Sequence, residues 1–270
     1  MVYNETLFDR YLNILSIGRR EPSITALDEI VNAHLTKVPF ENISKLLYKK
    51  QGLKYIPDLS LYLDGIEKFN FGGTCYSNNY CFYLLLRFLG YDVNLCGADM
   101  KNPDVHIVSM VKIGGRNFIV DGGYAAPFTE PLPGDLKENY VITFGDEKYI
   151  LNPRDESGYS KLEQYYKGEL KHGYTAKPQP RKIEEFRNVI EDSYRDHATF
   201  MNAVMIAKFY ANGSLVLRNL ALIKTDRNKV TTQRIQRDEI AAAVEKYFGM
   251  PRQIVDEAVN ELLELKDTWD

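Results

Sequence analysis

Apolar residues recur at helical spacing through most of the first ninety positions. Gly18, Ser23 and Pro39 stand where the periodic runs begin or end, as helix start and stop signals do. The last run is apolar on all sides and stops at Gly90, which predicts a buried helix with a glycine C-cap. This part of the chain is expected to be all helical. The predicted helices are residues 6–17, 23–38, 59–69 and 75–89.

After Gly90 the apolar positions alternate as they do in strands. Gly114-Gly115 separates two such runs, and a glycine pair between strands predicts a tight hairpin turn. The pattern indicates an antiparallel sheet curled into a barrel. The predicted strands are residues 91–98, 105–113, 116–121, 140–144, 148–152 and 165–170, with 177–181 as an extended connector.

The last third of the chain mixes helices with strands. Asn212-Gly213 predicts a hairpin turn, and the charged run 224–229 is typical of a solvated turn. Gly249 and Pro251 divide the final helical stretch in two. The predicted helices are 182–194, 237–248 and 251–265, and the predicted strands are 203–210 and 214–223.

Composition narrows the class of protein. The chain has 270 residues, of which 44% are hydrophobic and 26% charged, as in ordinary soluble globular proteins. With a net charge of −3, no overall basic field attracts nucleic acid or an anionic membrane. No stretch predicts a transmembrane span or a signal peptide. Three cysteines do not make a disulfide framework, which favours the cytoplasm, and nothing in the composition indicates an oligomeric state.

Cys75 is the candidate nucleophile. It follows Gly72-Gly73-Thr74 and opens the apolar helix, where free backbone N–H groups and the helix dipole stabilise negative charge. Gly72 and Gly73 are expected to adopt backbone conformations that a Cβ forbids and to let a substrate approach. The alternative is a buried structural thiol. Cys81 and Cys96 have no spacing typical of zinc ligands, so no metal is expected.

The hairpin supplies a base and its orienting acid. A two-residue turn at Gly114-Gly115 sets Ile113 opposite Arg116, which makes His106 and Asp121 diagonal neighbours on one face. A thiolate needs a histidine to move its proton, and the histidine needs a carboxylate to fix its tautomer. The alternatives are a histidine at a strand edge and an aspartate that caps a turn. His34 lies on an apolar helix face and is expected to be a packed core residue.

The same segments resemble those of the arylamine N-acetyltransferases over nearly the whole chain. The resemblance rests on 34–42 (HLTKVPFEN), 72–76 (GGTCY), Val105-His106, 120–124 (VDGGY) and the divided C-terminal helix. It implies an α+β fold with a papain-like or transglutaminase-like scaffold. Its expected parts are an N-terminal helical bundle carrying Cys75 at 1–90, a central antiparallel β-barrel at 91–195, and a C-terminal α/β lid at 196–270.

The resemblance also implies an activity. Cys75, with His106 and Asp121, would take acetyl from acetyl-CoA and pass it to a small arylamine, N-hydroxyarylamine or hydrazine. Gly122, Gly123 and Tyr124 match the turn where the family seats CoA, and the backbone N–H groups of Cys75 and Tyr76 match its oxyanion site. The alternatives are an amide synthase or cysteine hydrolase with another acyl donor, and a ligand-binding relative without turnover.

One residue departs from the family. The resemblance implies an arginine at the position of Phe71, paired with the glutamate that matches Glu41. Glu41 is therefore expected to find another partner or to stay hydrated, because an unpaired buried carboxylate is costly. The expected consequence is reduced stability or an altered acyl preference, with the triad itself unaffected.

Overall fold

Helices come first among the described residues, and two more follow the last strand. The computed structural model describes residues 5–227, 229–262 and 265. The α-helices are α1 (Glu5–Leu15), α2 (Ile24–Lys37), α3 (Ile43–Lys50), α4 (Leu59–Phe69), α5 (Cys75–Phe88), α6 (Arg187–Asp192), α7 (Ile240–Phe248) and α8 (Arg252–Val259). Short 3-10 helices cover Ile183–Phe186, Thr199–Met201 and Arg237–Glu239.

The N-terminal helices begin and end where local chemistry directs. Ser23 caps α2, because its side chain accepts a 3.0 Å hydrogen bond from Ala26 N. Helix α5 ends before Gly90, whose φ of 91° suits glycine alone. Helix α1 ends three residues before the predicted stop at Gly18, where Ser16 turns into the left-handed region with φ 60°. Helix α3 was not predicted.

The barrel prediction is confirmed. Eight antiparallel strands form one sheet in the order β5-β4-β3-β2-β9-β8-β7-β6, which curls into a nearly closed barrel. The strands are β2 (Asp92–Asp99), β3 (His106–Ile113), β4 (Arg116–Val120), β5 (Leu132–Pro133), β6 (Tyr140–Phe144), β7 (Glu147–Leu151), β8 (Ser160–Tyr166) and β9 (Glu169–Pro180).

The predicted register of the β3–β4 hairpin is also confirmed. Ile113 pairs with Arg116, and the ladder continues to Ser109 opposite Val120. Gly114 and Gly115 form the two-residue turn with φ of 58° and 74°, which only glycine adopts without strain. Because this turn fixes the register, the residue after β4 is directed toward the start of β3.

Two predictions in the barrel were wrong. The expected strand at 165–170 is a hairpin corner, since Lys167 and Gly168 turn the chain with φ of 51° and 85°. The expected connector at 177–181 is mostly the end of the long strand β9, which pairs with both β2 and β8. Extended proline-containing backbone at 178–180 fits the end of such a strand.

A second sheet unites the two ends of the chain. It has the order β1-β10-β11-β12-β13, and its first strand comes from the N-terminal region, which is therefore not all helical. Phe40 pairs with Ala207, and Glu41 pairs with Ile206. The strands are β1 (Phe40–Glu41), β10 (Met205–Tyr210), β11 (Gly213–Arg218), β12 (Ala221–Asp226) and β13 (Lys229–Arg234).

The turns of this sheet differ from the predictions. The β10–β11 turn is Ala211-Asn212, because Gly213 already pairs with Tyr210. The expected strand 214–223 is broken at Asn219, where a φ of 53° starts the next hairpin. The expected solvated turn 224–229 is mostly strand, since its two ends pair within β12 and β13. Short strands joined by tight turns replace one long strand.

The C-terminal helices cover one part of the core. Helices α7 and α8 pack with α3 and the second sheet into an apolar cluster that contains Phe71 and Val244. The predicted helix 251–265 ends at Val259, and the part of it at 263–264 lies outside the described residues. In the described ranges, no helix is long and apolar enough to cross a membrane. The domain limits 1–90, 91–195 and 196–270 stay predictions.

Candidate active site

Glycine is required before Cys75 because other atoms lie very close to both positions. A Cβ on Gly72 would stand 1.9 Å from the carbonyl oxygen of Pro39, and a Cβ on Gly73 would stand 2.7 Å from Ser77 Cβ. Neither glycine has a positive φ, so close packing rather than backbone freedom explains the pair. Glu41 N donates to Gly73 O at 3.0 Å, which joins the loop to β1. The entry to α5 is thus held tightly.

Cys75 is the first residue of α5 and is 9% exposed. Its Sγ lies 3.8 Å from Val105 O, the carbonyl just before His106. The N-cap residue Thr74 makes no side-chain capping bond, so the N–H groups of the first turn stay available to an anion. The thiol therefore stands beside the start of β3, at the N-terminal end of α5.

His106 and Asp121 meet as the hairpin register predicts. Nε2 of His106 lies 2.8 Å from Oδ2 of Asp121, and the two residues are 1% and 3% exposed. Because Nε2 bonds the carboxylate, Nδ1 is the ring nitrogen left for the sulfur of Cys75. The structure thus brings together the three residues that the sequence suggested as nucleophile, base and orienting acid.

The electrostatics of His106 favour its charged form. Burial alone lowers the pKa of the imidazole, since desolvation penalises a cation. The charge and hydrogen bond of Asp121, with a hydrogen bond and charge from Cys75, outweigh burial and raise the pKa of His106 to about 10. The ring is therefore suited to hold a proton beside the sulfur at neutral pH.

Asn79 and Gly123 hold the carboxylate, and the sequence did not single out Asn79. Its Nδ2 donates to Asp121 Oδ1 at 2.8 Å and to Ile107 O at 2.6 Å. Gly123 N donates to the same Oδ1 at 3.1 Å. The available signal was spacing, because Asn79 is one helical turn after Cys75 and faces the same side. Both carboxylate oxygens of Asp121 are therefore fixed.

The predicted CoA turn follows Asp121 directly. A Cβ on Gly122 would stand 2.7 Å from His34 Cδ2, and one on Gly123 would stand 2.8 Å from Cys75 Cα. Both glycines are thus needed for packing behind the site. Tyr124 is half-buried, and its ring centroid lies 5.7 Å from that of His106. Its hydroxyl contacts Gln164 Oε1 and His172 Nδ1 at 3.3 and 3.1 Å.

Glu41 finds partners without an arginine. Its carboxylate accepts hydrogen bonds from Ser44 N at 2.9 Å, Ser44 Oγ at 2.5 Å and Gly72 N at 3.1 Å. Burial, opposed by these bonds, still raises the pKa of Glu41 above its usual value. Phe71 is 1% exposed and packs its ring against Tyr48 and Phe69. An apolar contact thus stands where the family resemblance implies an ion pair.

The other candidate groups are structural. Burial raises the pKa of Cys96 to about 12 and that of Cys81 further, so both thiols are kept neutral. His34 packs as predicted, stacked 4.2 Å from Phe82 and hydrogen-bonded to Tyr11 Oη at 3.0 Å. Over the ranges that the structure covers, no group of three or more histidine, cysteine or acidic residues is placed to hold a metal ion.

Known proteins are similar to this chain in sequence and in fold. A family model described as N-acetyltransferase matches residues 23–255. The chain is 28% identical over 194 residues to the arylamine N-acetyltransferase of the pineal gland, isozyme NAT-3, of Gallus gallus, a match that covers 62% of this chain. It spans 64% of that relative, less than two thirds of its length.

Two further proteins match over more of their length. Proansamycin X synthase of Amycolatopsis mediterranei is 23% identical and is matched over 88% of its length and 82% of this chain. The Mycobacterium marinum arylamine N-acetyltransferase, solved in complex with CoA, superposes with a TM-score of 0.78 at 20% identity, over 94% of this chain and 99% of that one. The chain therefore belongs to the N-acetyltransferase family, the family of the arylamine N-acetyltransferases.

Proposed function

We propose that this protein is a ping-pong acetyltransferase that carries acetyl on Cys75. It takes the acetyl group from acetyl-CoA and gives it to an arylamine, an N-hydroxyarylamine or a hydrazine. The observation that carries the proposal is the 2.8 Å contact between His106 and Asp121, next to Val105, whose carbonyl oxygen lies 3.8 Å from the Cys75 sulfur. A nucleophile close to a hydrogen-bonded pair of base and orienting acid is the arrangement that acyl transfer through a thioester needs.

In the first half-reaction the sulfur of Cys75 attacks the thioester carbonyl carbon of acetyl-CoA. A carbon–sulfur bond forms to Cys75, and the bond to the CoA sulfur breaks. His106, protonated at the start, gives its proton to the leaving CoA sulfur. Asp121 stabilises the imidazolium before transfer and keeps the ring in position, since it bonds Nε2 throughout.

In the second half-reaction the acceptor amine attacks the S-acetyl group of Cys75. His106, now neutral, takes a proton from the attacking nitrogen, and the sulfur leaves as a thiolate. The product is an amide, a hydroxamic acid or a hydrazide according to the acceptor, and the imidazolium is restored for the next cycle. Cys75 is buried in an apolar cluster with Ile107 and Phe186, which limits hydrolysis of the thioester by water.

The negative charge that develops on the carbonyl oxygen needs donors. The N–H groups of Cys75 and Tyr76 in the first turn of α5 would supply them, and the absence of a capping side-chain bond from Thr74 supports this role. Gly122, Gly123 and Tyr124 would lie along the CoA tail. Support for them is their contact with the site: Gly123 packs on Cys75 and Tyr124 on His106.

A cytoplasmic location belongs to the same proposal. All three cysteines are free, and Cys75 must stay reduced to act as a nucleophile. The Mycobacterium marinum relative was solved with CoA, which supports CoA as the carrier here. The amine acceptors are proposed from the family name alone. Xenobiotic amines are the class that such a reaction would modify.

An amide synthase with another acyl donor is the second candidate. This candidate is supported by the match to Proansamycin X synthase, which covers most of both chains and is named as a synthase. The two candidates share the cysteine and differ in the donor. A panel of acyl-CoA thioesters and free thioesters, compared at equal concentration, separates them by the donor with the highest kcat/KM.

The proposal is tested by the first half-reaction alone. Full-length protein mixed with acetyl-CoA and no acceptor is expected to release one equivalent of CoA thiol in a burst, followed by a much slower phase. Addition of an arylamine should restore continuous turnover. If no CoA is released until the amine is present, the mechanism is sequential, and the ping-pong order is excluded.

A further inference from the structure

The ammonium group of Lys45 is buried without an acid beside it. Lys45 lies in α3 and is only 5% exposed. In the part of the chain that the structure describes, its Nζ contacts a hydroxyl and an aromatic ring, and no carboxylate lies within ion-pair distance. Buried charges are normally paired or bound to a ligand, because desolvation of a lone ion is costly. Lys45 departs from this rule.

Its protein partners leave hydrogen-bonding capacity unused. Nζ donates to Ser193 Oγ at 2.7 Å and stands 4.4 Å from the centroid of the Tyr194 ring. A lysine ammonium has three N–H donors, and the Ser193 bond uses one. The ring face attracts the charge but does not neutralise it. The group is therefore equipped to bind one more acceptor, best an anion.

The position of Lys45 relates it to the nucleophile. Tyr194, under the ammonium, belongs to the same apolar cluster as Cys75. Burial lowers the pKa of Lys45 to about 8, and the charge of Lys49 acts in the same direction. Negative charge at Cys75 opposes both, so the two side chains lie within electrostatic reach of each other. The amine stays mostly charged at neutral pH.

We propose that Lys45 binds a carboxylate carried by a substrate of Cys75. The inference rests on the proposed function, since it places an acyl donor and an acceptor at this cysteine. The carboxylate belongs either to the aromatic acceptor or to the acyl group of the donor. In both cases Lys45 determines specificity and does not take part in bond making. A lysine that only tethers α3 to Ser193 would show no preference for charge.

Binding measurements separate these cases without need for turnover. Calorimetry on the full-length protein compares 4-aminobenzoate with the neutral 4-aminobenzamide. The same method on the Cys75→Ser protein compares malonyl-CoA with propionyl-CoA, which is similar in size. In one of the two pairs the anionic member is expected to bind about tenfold more tightly, as a hydrogen bond to a charged group provides.

The variants assign that preference to one side chain. Lys45→Met should abolish the preference for the anionic ligand and change the Kd of the neutral ligand by no more than about twofold. Lys45→Gln should give the same result. Lys49→Met is the matched control, because Lys49 lies on the same helix and pairs with Asp196 instead. Tighter binding of 4-aminobenzoate than of 4-aminobenzamide assigns the carboxylate to the acceptor amine. Tighter binding of malonyl-CoA than of propionyl-CoA assigns it to the acyl group of the donor.

Two results would overturn the inference. One is the absence of any charge preference in both pairs. The other is a preference that survives in both Lys45 variants, with folding checked by thermal melting. If acetyl-CoA fails to acylate Cys75 while the preference is present and depends on Lys45, the proposed function fails and the carboxylate site stands.

Discussion

Asn79 bonds the carboxylate oxygen of Asp121 that His106 leaves free. The amide nitrogen lies 2.8 Å from Oδ1, and the imidazole Nε2 lies 2.8 Å from Oδ2. Asn79 also bonds Ile107 O at 2.6 Å, so one side chain ties α5 to β3 and to the acid. The proposed triad thus depends on a fourth residue that sets the angle of its carboxylate.

Asn79→Ala is expected to reduce kcat/KM for acetyl transfer by about tenfold. Loss of one buried hydrogen bond to a charged group has about that effect, and Asp121 becomes free to rotate away from His106. Asn94→Ala is the control, since Asn94 is exposed on β2. The measurement is CoA release under saturating amine. An unchanged rate, with unchanged melting temperature, would remove Asn79 from the positioning of the acid.

Asp121→Asn is expected to change the protonation of His106 as well as the rate. Without the carboxylate charge, burial determines the pKa of His106 and lowers it. The imidazole is then expected to be neutral at pH 7, whereas it is charged in the parent. The ring nitrogen shifts in a ¹⁵N NMR titration measure this directly, and the exposed His197 serves as the reference. Acylation should fall on the order of 10²–10⁴-fold. A His106 titration that stays near pH 10 would contradict the assigned cause.

The sign of the pH effect on stability follows from the same shift. Since the pKa of His106 rises from 6.5 unfolded to about 10 folded, its charged form stabilises the fold fully below pH 6.5. That contribution is lost as the pH rises through about 10. The difference in melting temperature between the parent and Asp121→Asn should therefore be largest near pH 6 and should shrink at high pH.

The contact between His106 and Asp121 was predictable because a local rule controls it. The turn at Gly114-Gly115 fixes a register, and that register brings His106 to Asp121 across adjacent strands. Cys75 followed from a different local rule, the glycine-led start of a helix. Neither rule needs information from distant parts of the chain.

Long-range pairing was not predictable in the same way. Phe40 joins Ala207 across more than 160 positions, and nothing near Phe40 distinguishes that strand from a helix end. The missed helix α3 had a signal, since Ile43, Leu46 and Leu47 follow helical spacing. Because α3 was not predicted from the sequence, the burial of Lys45 was not predicted either. Tertiary contacts, rather than local propensity, decide a strand such as β1.

His34 is expected to make the fold sensitive to acid. Burial lowers the pKa of this histidine to about 3, so the folded state resists a proton that the unfolded state accepts. Stability should fall as the pH drops from 6.5 toward 3, by at most about 1.4 kcal/mol per pH unit. Equilibrium urea unfolding at several pH values measures the slope.

Two glutamine variants identify the source of that slope. His34→Gln should flatten it, whereas the exposed His197→Gln should leave it unchanged. Equal slopes in the parent and in His34→Gln would assign the acid sensitivity to other groups.

Phe71 is expected to stabilise the fold in place of an ion pair. Its ring packs against Tyr48 and Phe69 in the cluster that α7 and α8 complete. Phe71→Ala should lower the free energy of unfolding by about 3–5 kcal/mol, as is typical of buried aromatic residues. Tyr210→Ala, at a half-exposed site, should cost far less. Similar losses for both variants would mean that the contact carries little stability.

The sulfur of Cys75 is proposed to carry the acyl group, and a covalent adduct tests this directly. Full-length protein is mixed with acetyl-CoA without acceptor, quenched in acid, digested and mapped by mass spectrometry, with Cys75→Ser as the control. We expect one acetyl group on the peptide that contains Cys75, absent from Cys81, Cys96 and the control, and lost when an arylamine is added. Acetyl transfer to an amine at the parent rate by Cys75→Ser would contradict it.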